Sequence, residues 1–264
     1  MEIDNKVVLV TGASSGIGAA IARSMAEAGA KEILLLARRE DALNKVADEI
    51  RAAGGSASIY PVDLSDANAV SVVAQQITTA AGTPDIIINN AGSGQWKFVD
   101  ETAPEEAVQM MALPYFATFY ITHAFLSAML KRNSGHFVNI SSVASRFVWP
   151  GATAYTAARW AQKGFTEALR SDLADTGIGV TLSESPKVKS EYWENNPDSS
   201  ERLPGMAKLI PELEPEDVGK AVVKGVIKNK KLVVIPFMMK IVYLQHRFFP
   251  EIVQWLMTKT GYRR

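Results

Sequence analysis

The stretch that most constrains the fold is residues 6–18, KVVLVTGASSGIG. A short apolar, β-rich run leads straight into Gly12, Gly16 and Gly18, and a helical pattern follows. Glycine permits the positive φ of a tight turn and lets backbone approach a ligand without a Cβ in the way. A helix that begins just behind such a turn presents free amides, and the positive end of its dipole, to an anion. The spacing is G-x-x-x-G-x-G rather than G-x-G-x-x-G, and its weight comes from the strand–turn–helix context. Gly12, Ser14, Ser15, Gly16, Ile17 and Gly18 are therefore read as a loop for a dinucleotide's phosphates.

The rest of the chain repeats that alternation. Apolar runs at 6–12, 32–37, 56–63, 85–92, 135–142, 179–183 and 231–236 are nearly unbroken, as in strands covered on both faces of a parallel sheet. Helical patterns at 17–29, 40–53, 66–81, 115–132, 153–176 and 215–228 separate them. The expected fold is α/β, a doubly wound parallel sheet with right-handed crossovers. A chain of 264 residues, 47% hydrophobic, suits one large core. Residues 1–236 are read as that domain. Within it, 184–214 break the rhythm with polar residues and four prolines. They are read as a substrate lid, because ligands bind beyond the carboxyl ends of the strands in such sheets. Residues 237–264 form an apolar helical extension that Lys240, His246, Arg247 and Glu251 interrupt, and Pro250 is expected to break or kink its helix. Two readings of 237–260 stand side by side: a packed terminal helix or subunit contact, and a membrane-surface or lipid-substrate cover.

Composition narrows the chemistry. The 28 basic and 28 acidic residues cancel, so nucleic acid is not an expected partner. The lack of cysteine excludes disulfides, Cys-ligated zinc and thiol catalysis, and it fits a reducing cytosol. A cytoplasmic protein is expected, or one resting on a membrane surface through 237–260. The first residues carry no basic leader, and no run of 18 uncharged apolar residues occurs, so no spanning helix is expected. His123, His136 and His246 lack metal-spaced partners, so no metal is expected. The five tryptophans are scattered, with no cage evident.

The second strand run ends in LLLARRED. Ala37 stands where a carboxylate would bind the adenosine ribose of NAD. Arg38 and Arg39 follow, and a guanidinium fork suits a 2′-phosphate. NADP(H) is the expected cofactor.

With TGASSGIG come VDL (62–64), NNAG (89–92), NISS (139–142) and the tyrosine of YTAAR (155–159), in that order. The sequence thereby resembles the short-chain dehydrogenase/reductase family over most of residues 5–235. The resemblance implies a Rossmann-type domain with a sheet of about seven strands. It implies that Asp63 and Leu64 meet the adenine end, that Asn89, Ala91 and Gly92 border the middle of the cofactor, and that Val188 contacts the nicotinamide carboxamide. It also implies a catalytic group of Asn, Ser, Tyr and Lys. Ser142 would bond the substrate oxygen, and Tyr155 would exchange a proton with it as hydride is transferred. A free tyrosine has a pKa of about 10, and a nearby cation brings the phenol toward the working range.

Three departures from the family pattern cluster. The residue four after Tyr155, on the same helix face, is Arg159 instead of lysine. Arginine keeps the charge and can bond ribose hydroxyls, but it does not surrender a proton. Lys163 lies eight residues from Tyr155, about 12 Å along a helix. Pro114 stands at the asparagine position, where a kink would free a carbonyl for water. Ser185–Pro186 replaces the family's Pro-Gly ahead of Val188 and Ser190. The resemblance further implies that helices 115–132 and 153–176 pair across a two-fold axis, in a homodimer or homotetramer. The expected function is NADP(H)-dependent interconversion of a ketone and a secondary alcohol on a small hydrophobic substrate, with turnover impaired by Arg159 and Pro114. The alternative is an NADP(H)-binding protein of the same fold without redox activity, acting as sensor, scaffold or non-redox catalyst.

Overall fold

Seven strands form the centre: β1 Val7–Thr11, β2 Glu32–Ala37, β3 Ala57–Pro61, β4 Ile86–Asn89, β5 Gly135–Ser142, β6 Ile178–Ser185 and β7 Leu232–Val234. A computed structural model describes residues 1–263, the side chains of Asn195 and Pro197 apart. The strand order is 3-2-1-4-5-6-7 and every pairing is parallel. Eleven α-helices lie between and after the strands among the described residues: α1 Gly16–Glu27, α2 Glu40–Ala52, α3 Ala67–Ala81, α4 Pro104–Met111, α5 Thr118–Arg132, α6 Thr153–Asp172, α7 Glu191–Asn195, α8 Pro197–Glu201, α9 Pro215–Ile227, α10 Phe237–Phe248 and α11 Pro250–Lys259. This is the Rossmann-like arrangement expected from the alternation of runs.

Strand periodicity explains why the runs carry no polar face. Val8 and Val10 of β1 join the core under α1, α2 and α9. Val7 and Leu9 join the opposite core, under α3 and α5. Successive side chains point to opposite faces, so a strand covered on both must be apolar throughout. The strand order reverses between β1 and β4. Their carboxyl ends therefore feed helices on opposite faces, which opens a crevice at the switch point.

Two segments differ from the expectation, and a third follows it in breaking at Pro250. First, the helix expected over 115–132 is the second part of a longer helical run, in which α4 and α5 flank a π turn at Ala112–Ala117. Pro114 supplies no N–H to the ladder, and one wide turn absorbs the defect in place of a sharp kink. Its carbonyl accepts a hydrogen bond from Thr118 Oγ1 at 2.9 Å, so a hydroxyl takes the group expected to face water. By length and composition the run Pro104–Arg132 could cross a bilayer, contrary to the expectation that no such helix occurs. Yet Ala117, Ile121, Phe125 and Met129 are buried in the core on the α3 side of the sheet, so the run is a layer of this domain.

Second, the 184–214 excursion has structure of its own. β6 runs on to Ser185, and α7, α8 and a 3-10 turn at Gly205–Leu209 follow. The excursion is pinned at its neck, where Lys189 N donates to Leu213 O at 2.9 Å and Leu213 N to Lys187 O at 3.1 Å. Third, residues 237–259 form two helices. Pro250 takes the first position of α11, where the missing N–H would have had no helical partner.

Candidate active site

The carboxyl ends of the strands border a cavity of about 1080 Å³. It runs from the β1–α1 turn, past the ends of β2, β4 and β5, to α10 and α11.

At one end, β1 stops at Thr11 and the chain turns through Gly12 (φ 63°) and Gly16 (φ 53°) into α1. A Cβ on Gly18 would stand 2.1 Å from Gly12 O, so only glycine fits there. The turn is tied to the loop after β4. Thr11 Oγ1 accepts from Asn90 N at 2.9 Å and Ala91 N at 3.0 Å, and Asn90 Nδ2 donates to Thr11 O at 3.0 Å. Ser14, Ser15, Ile17, Ala91 and Gly92 all line the cavity.

Asn89 does not line it, and this corrects the expectation. Asn89 is the last residue of β4 and is 1% exposed. Its Nδ2 donates inward to Asn139 Oδ1 at 2.9 Å. The next residue, Asn90, turns to the cavity, because the strand ends and the chain bends there.

Beside this turn, β2 ends in buried Ala37, and Arg38 and Arg39 are exposed at the cavity rim. Arg39 pairs with Glu191 of α7 at 3.2 Å. Asp63 also lines the rim with Leu64. The hydroxyl and then the amide of Ser65, with Arg38 as a weaker influence, hold its carboxyl below the usual range. The glycine cradle is the shape a diphosphate needs, and the residues present fit a dinucleotide.

The middle of the cavity holds the three residues singled out for chemistry: Ser142, Tyr155 and Arg159. Ser142 ends β5, and its Oγ accepts from Ala144 N at 3.2 Å, which caps the 3-10 turn Val143–Ser145. Tyr155 lies in the first turn of α6 and is 6% exposed. The Arg159 guanidinium carbon lies 5.2 Å from the Tyr155 ring centroid, a cation–π distance. The i, i+4 spacing thus brings the two together as expected. Arg159 itself is 8% exposed. Its Nη1 donates to Ile140 O and to Gln162 Oε1, each at 3.3 Å, and its Nε has no partner among the described residues. Gln162 Nε2 donates in turn to Thr118 Oγ1 at 3.3 Å. Arg159, Gln162, Thr118 and the Pro114 carbonyl therefore form one buried polar chain. Lys163 does not join it, because its ammonium lies 5.1 Å from the Trp160 ring. Ser185 at the end of β6, and Pro186 and Val188 beyond it, line the cavity.

Past Tyr155 the wall is aromatic, which the scattered positions of the tryptophans hid. The Trp96 ring lies 5.0 Å from Trp149, 5.5 Å from Tyr155 and 5.6 Å from Trp193. Three of the five tryptophans therefore converge here, Trp96 and Trp149 from loops and Trp193 from α7. Tyr192 of α7 donates to Gly94 O at 2.7 Å. Burial, and next the neighbouring Tyr155, holds its phenol above the usual range, so it stays a donor. Phe147, Met239, Val242 and Val253 complete an apolar chamber. Below it, Glu184, fully buried, accepts from Ser145 Oγ at 2.5 Å and Arg146 Nε at 2.7 Å. The Arg146 guanidinium carbon lies 4.9 Å from the Tyr243 ring, so the loop after β5 is fastened to α10. None of these wall residues belongs to a local motif. Only the fold reveals them. Among the described residues no cluster of potential metal ligands occurs.

Residues 6–201 match the model of the short chain dehydrogenase family. A fatty acyl-CoA reductase of Acinetobacter baylyi is 34% identical over 236 residues, spanning 87% of this chain and 75% of the relative. A metagenomic short-chain oxidoreductase solved in complex with NADP is 30% identical, with a TM-score of 0.74 over 89% of this chain and 98% of its own. A short-chain dehydrogenase/reductase from Burkholderia phymatum solved with NAD is 25% identical, with a TM-score of 0.83 over 100% of this chain and 99% of its own.

Proposed function

The chain belongs to the short chain dehydrogenase family, and from that premise we propose that it is an NADP(H)-dependent oxidoreductase that interconverts a ketone and a secondary alcohol on a small hydrophobic substrate. The observation that carries this reading is one continuous cavity with the glycine cradle and Arg38 at one end, Ser142 and Tyr155 in the middle, and an apolar chamber beyond.

The dinucleotide, when bound, supplies or accepts the hydride. Gly12, Gly16 and the α1 N-terminus would hold its phosphates, and Arg38 would meet the 2′-phosphate. Arg39, already paired with Glu191, is the weaker candidate for that contact. The chain's own residues manage the other half of the reaction. Ser142 Oγ orients the substrate oxygen and donates to it as negative charge builds. Tyr155 Oη delivers the proton, or takes it in the reverse direction. Arg159 sits at cation–π distance from the tyrosine, where its guanidinium fixes the ring's position. A guanidinium does not pass the proton on, so Tyr155 must be reprotonated by another route. The aromatic wall selects for an apolar substrate, and the similarity to a fatty acyl-CoA reductase supports the same class.

A second reading is a dinucleotide-binding protein without hydride transfer, and Arg159 and Pro114 favour it, because both depart from the family's proton-relay positions. NADPH oxidation over a panel of lipophilic ketones, in the wild type and in Arg159→Lys, separates the two. The oxidoreductase reading expects turnover in the wild type as well as in the variant. Activity confined to Arg159→Lys would establish the second reading.

A further inference from the structure

The helices α10 and α11 carry large apolar side chains on the side turned to solvent. Phe237, Ile241, Leu244 and Phe248 are 48–70% exposed. Their spacing of four, three and four residues makes them one stripe along α10. Phe249, Ile252 and Trp255 continue it onto α11, each 57–58% exposed. The opposite side of α10 already packs on the domain, through Met239 and Tyr243. The pair is thus apolar on both sides, which a helix resting on a domain in water does not need.

Charge distinguishes what covers that stripe. The whole chain is balanced, yet residues 237–264 hold five basic residues and one acidic. Lys240 and Arg247 of α10 are exposed beside the stripe, and the Lys240 ammonium lies 5.4 Å from the Phe237 ring. Apolar side chains flanked by long basic ones are the pattern of a helix lying in an anionic lipid interface, its cations reaching for phosphates. A second copy of the chain is a poorer occupant, because a two-fold contact here would set like charges against each other. At 12 and 10 residues the helices are too short to span a bilayer. The stripe is also continuous with the cavity: Met238 and Ile241, both exposed, line it, as does Leu209, 74% exposed.

We propose that α10 and α11 dock on an anionic lipid surface and set the apolar mouth of the cavity against it. Docking itself does not rest on the redox reading, since it can be measured without turnover.

The test is flotation of the full chain with phosphatidylcholine vesicles and with vesicles that also contain phosphatidylglycerol. The wild type is expected to float with the anionic vesicles and to be released by salt. The variant Phe237→Ser/Leu244→Ser/Phe248→Ser/Trp255→Ser, which changes no cavity residue, is expected to lose on the order of tenfold or more in vesicle affinity. It should keep its circular dichroism and a cooperative thermal transition. If that variant does not fold, Lys240→Glu/Arg247→Glu carries the test. It should lose the preference for anionic vesicles, by on the order of tenfold or more. A wild type that stays with the unbound fraction overturns the proposal, and so does a folded variant that floats as well as wild type. A variant that falls from a larger assembly to a smaller one in sedimentation, with no vesicle binding by either protein, assigns the stripe to a second copy and also overturns it.

Discussion

Arginine and lysine differ less in charge than in what they can give away. Arg159 holds its guanidinium against Ile140 O and Gln162 and beside Tyr155, so the cation is positioned by protein groups alone. In the proposed mechanism the proton itself belongs to Tyr155. Tyr155→Phe is expected to lower kcat by about 10²–10⁴, the usual range for a lost acid–base group, with NADPH affinity unchanged in a fluorescence titration. His136 makes a different prediction. It is 1% exposed, its Nε2 lies 2.8 Å from Thr181 Oγ1, and burial lowers its pKa from 6.5 to about 4. As pH falls below 6.5 the unfolded chain takes up a proton that the folded chain refuses until about 4. Stability therefore drains away across that window, by on the order of 3 kcal/mol for the full shift. Thermal unfolding from pH 7 to 4 should show a smaller fall in Tm for His136→Gln than for wild type; parallel curves would refute the assignment. Ser142, Tyr155 and Arg159 were legible in the sequence because a motif fixes their spacing. Asn89 was misplaced by one residue, since only coordinates show where β4 ends and the chain bends.

At the level of elements, the π turn between α4 and α5 shows how a sequence defect is accommodated. Pro114 removes one ladder donor, and Thr118 covers the carbonyl of Pro114 while receiving Gln162. Thr118→Val would leave the carbonyl and the amide without that partner, in a region that is buried. A loss of about 1–3 kcal/mol is expected, measured as a lower Tm. A Tm unchanged from wild type would show that the chain from Arg159 to Pro114 carries no stability. The end of β2 makes the cofactor prediction. Arg38→Ala should weaken NADPH by roughly 10–100-fold, the worth of a charge-assisted contact, and leave NADH nearly unaffected. Equal losses for both would remove the 2′-phosphate role. Hydrophobic runs located every strand, because burial on both faces leaves a continuous signal. The helices α4, α7 and α8 left weaker traces, since each is short and amphipathic patterning needs several turns to declare itself.

Across the whole molecule, the sheet brings two kinds of surface to one edge. The glycine turn stands at the switch point between β1 and β4 with Arg38 beside it at the end of β2, while the aromatic wall, α10 and α11 stand beyond β5 and β6. Sequence reasoning found the first, because phosphate recognition is local. Of the second it saw the apolar tail and missed the aromatic wall, because Trp96, Trp149 and Trp193 come from two loops and α7 and meet only when these fold over Tyr155. The central claim is that hydride passes across this cavity while Tyr155 handles the proton. The direct measurement is incubation of the wild type with deuterium-labelled NADPH and a lipophilic ketone, followed by mass analysis of the alcohol. The account predicts deuterium on the carbinol carbon with wild type and a rate lower by about 10²–10⁴ with Tyr155→Phe. Tight NADPH binding with no labelled alcohol from any ketone tried would contradict it.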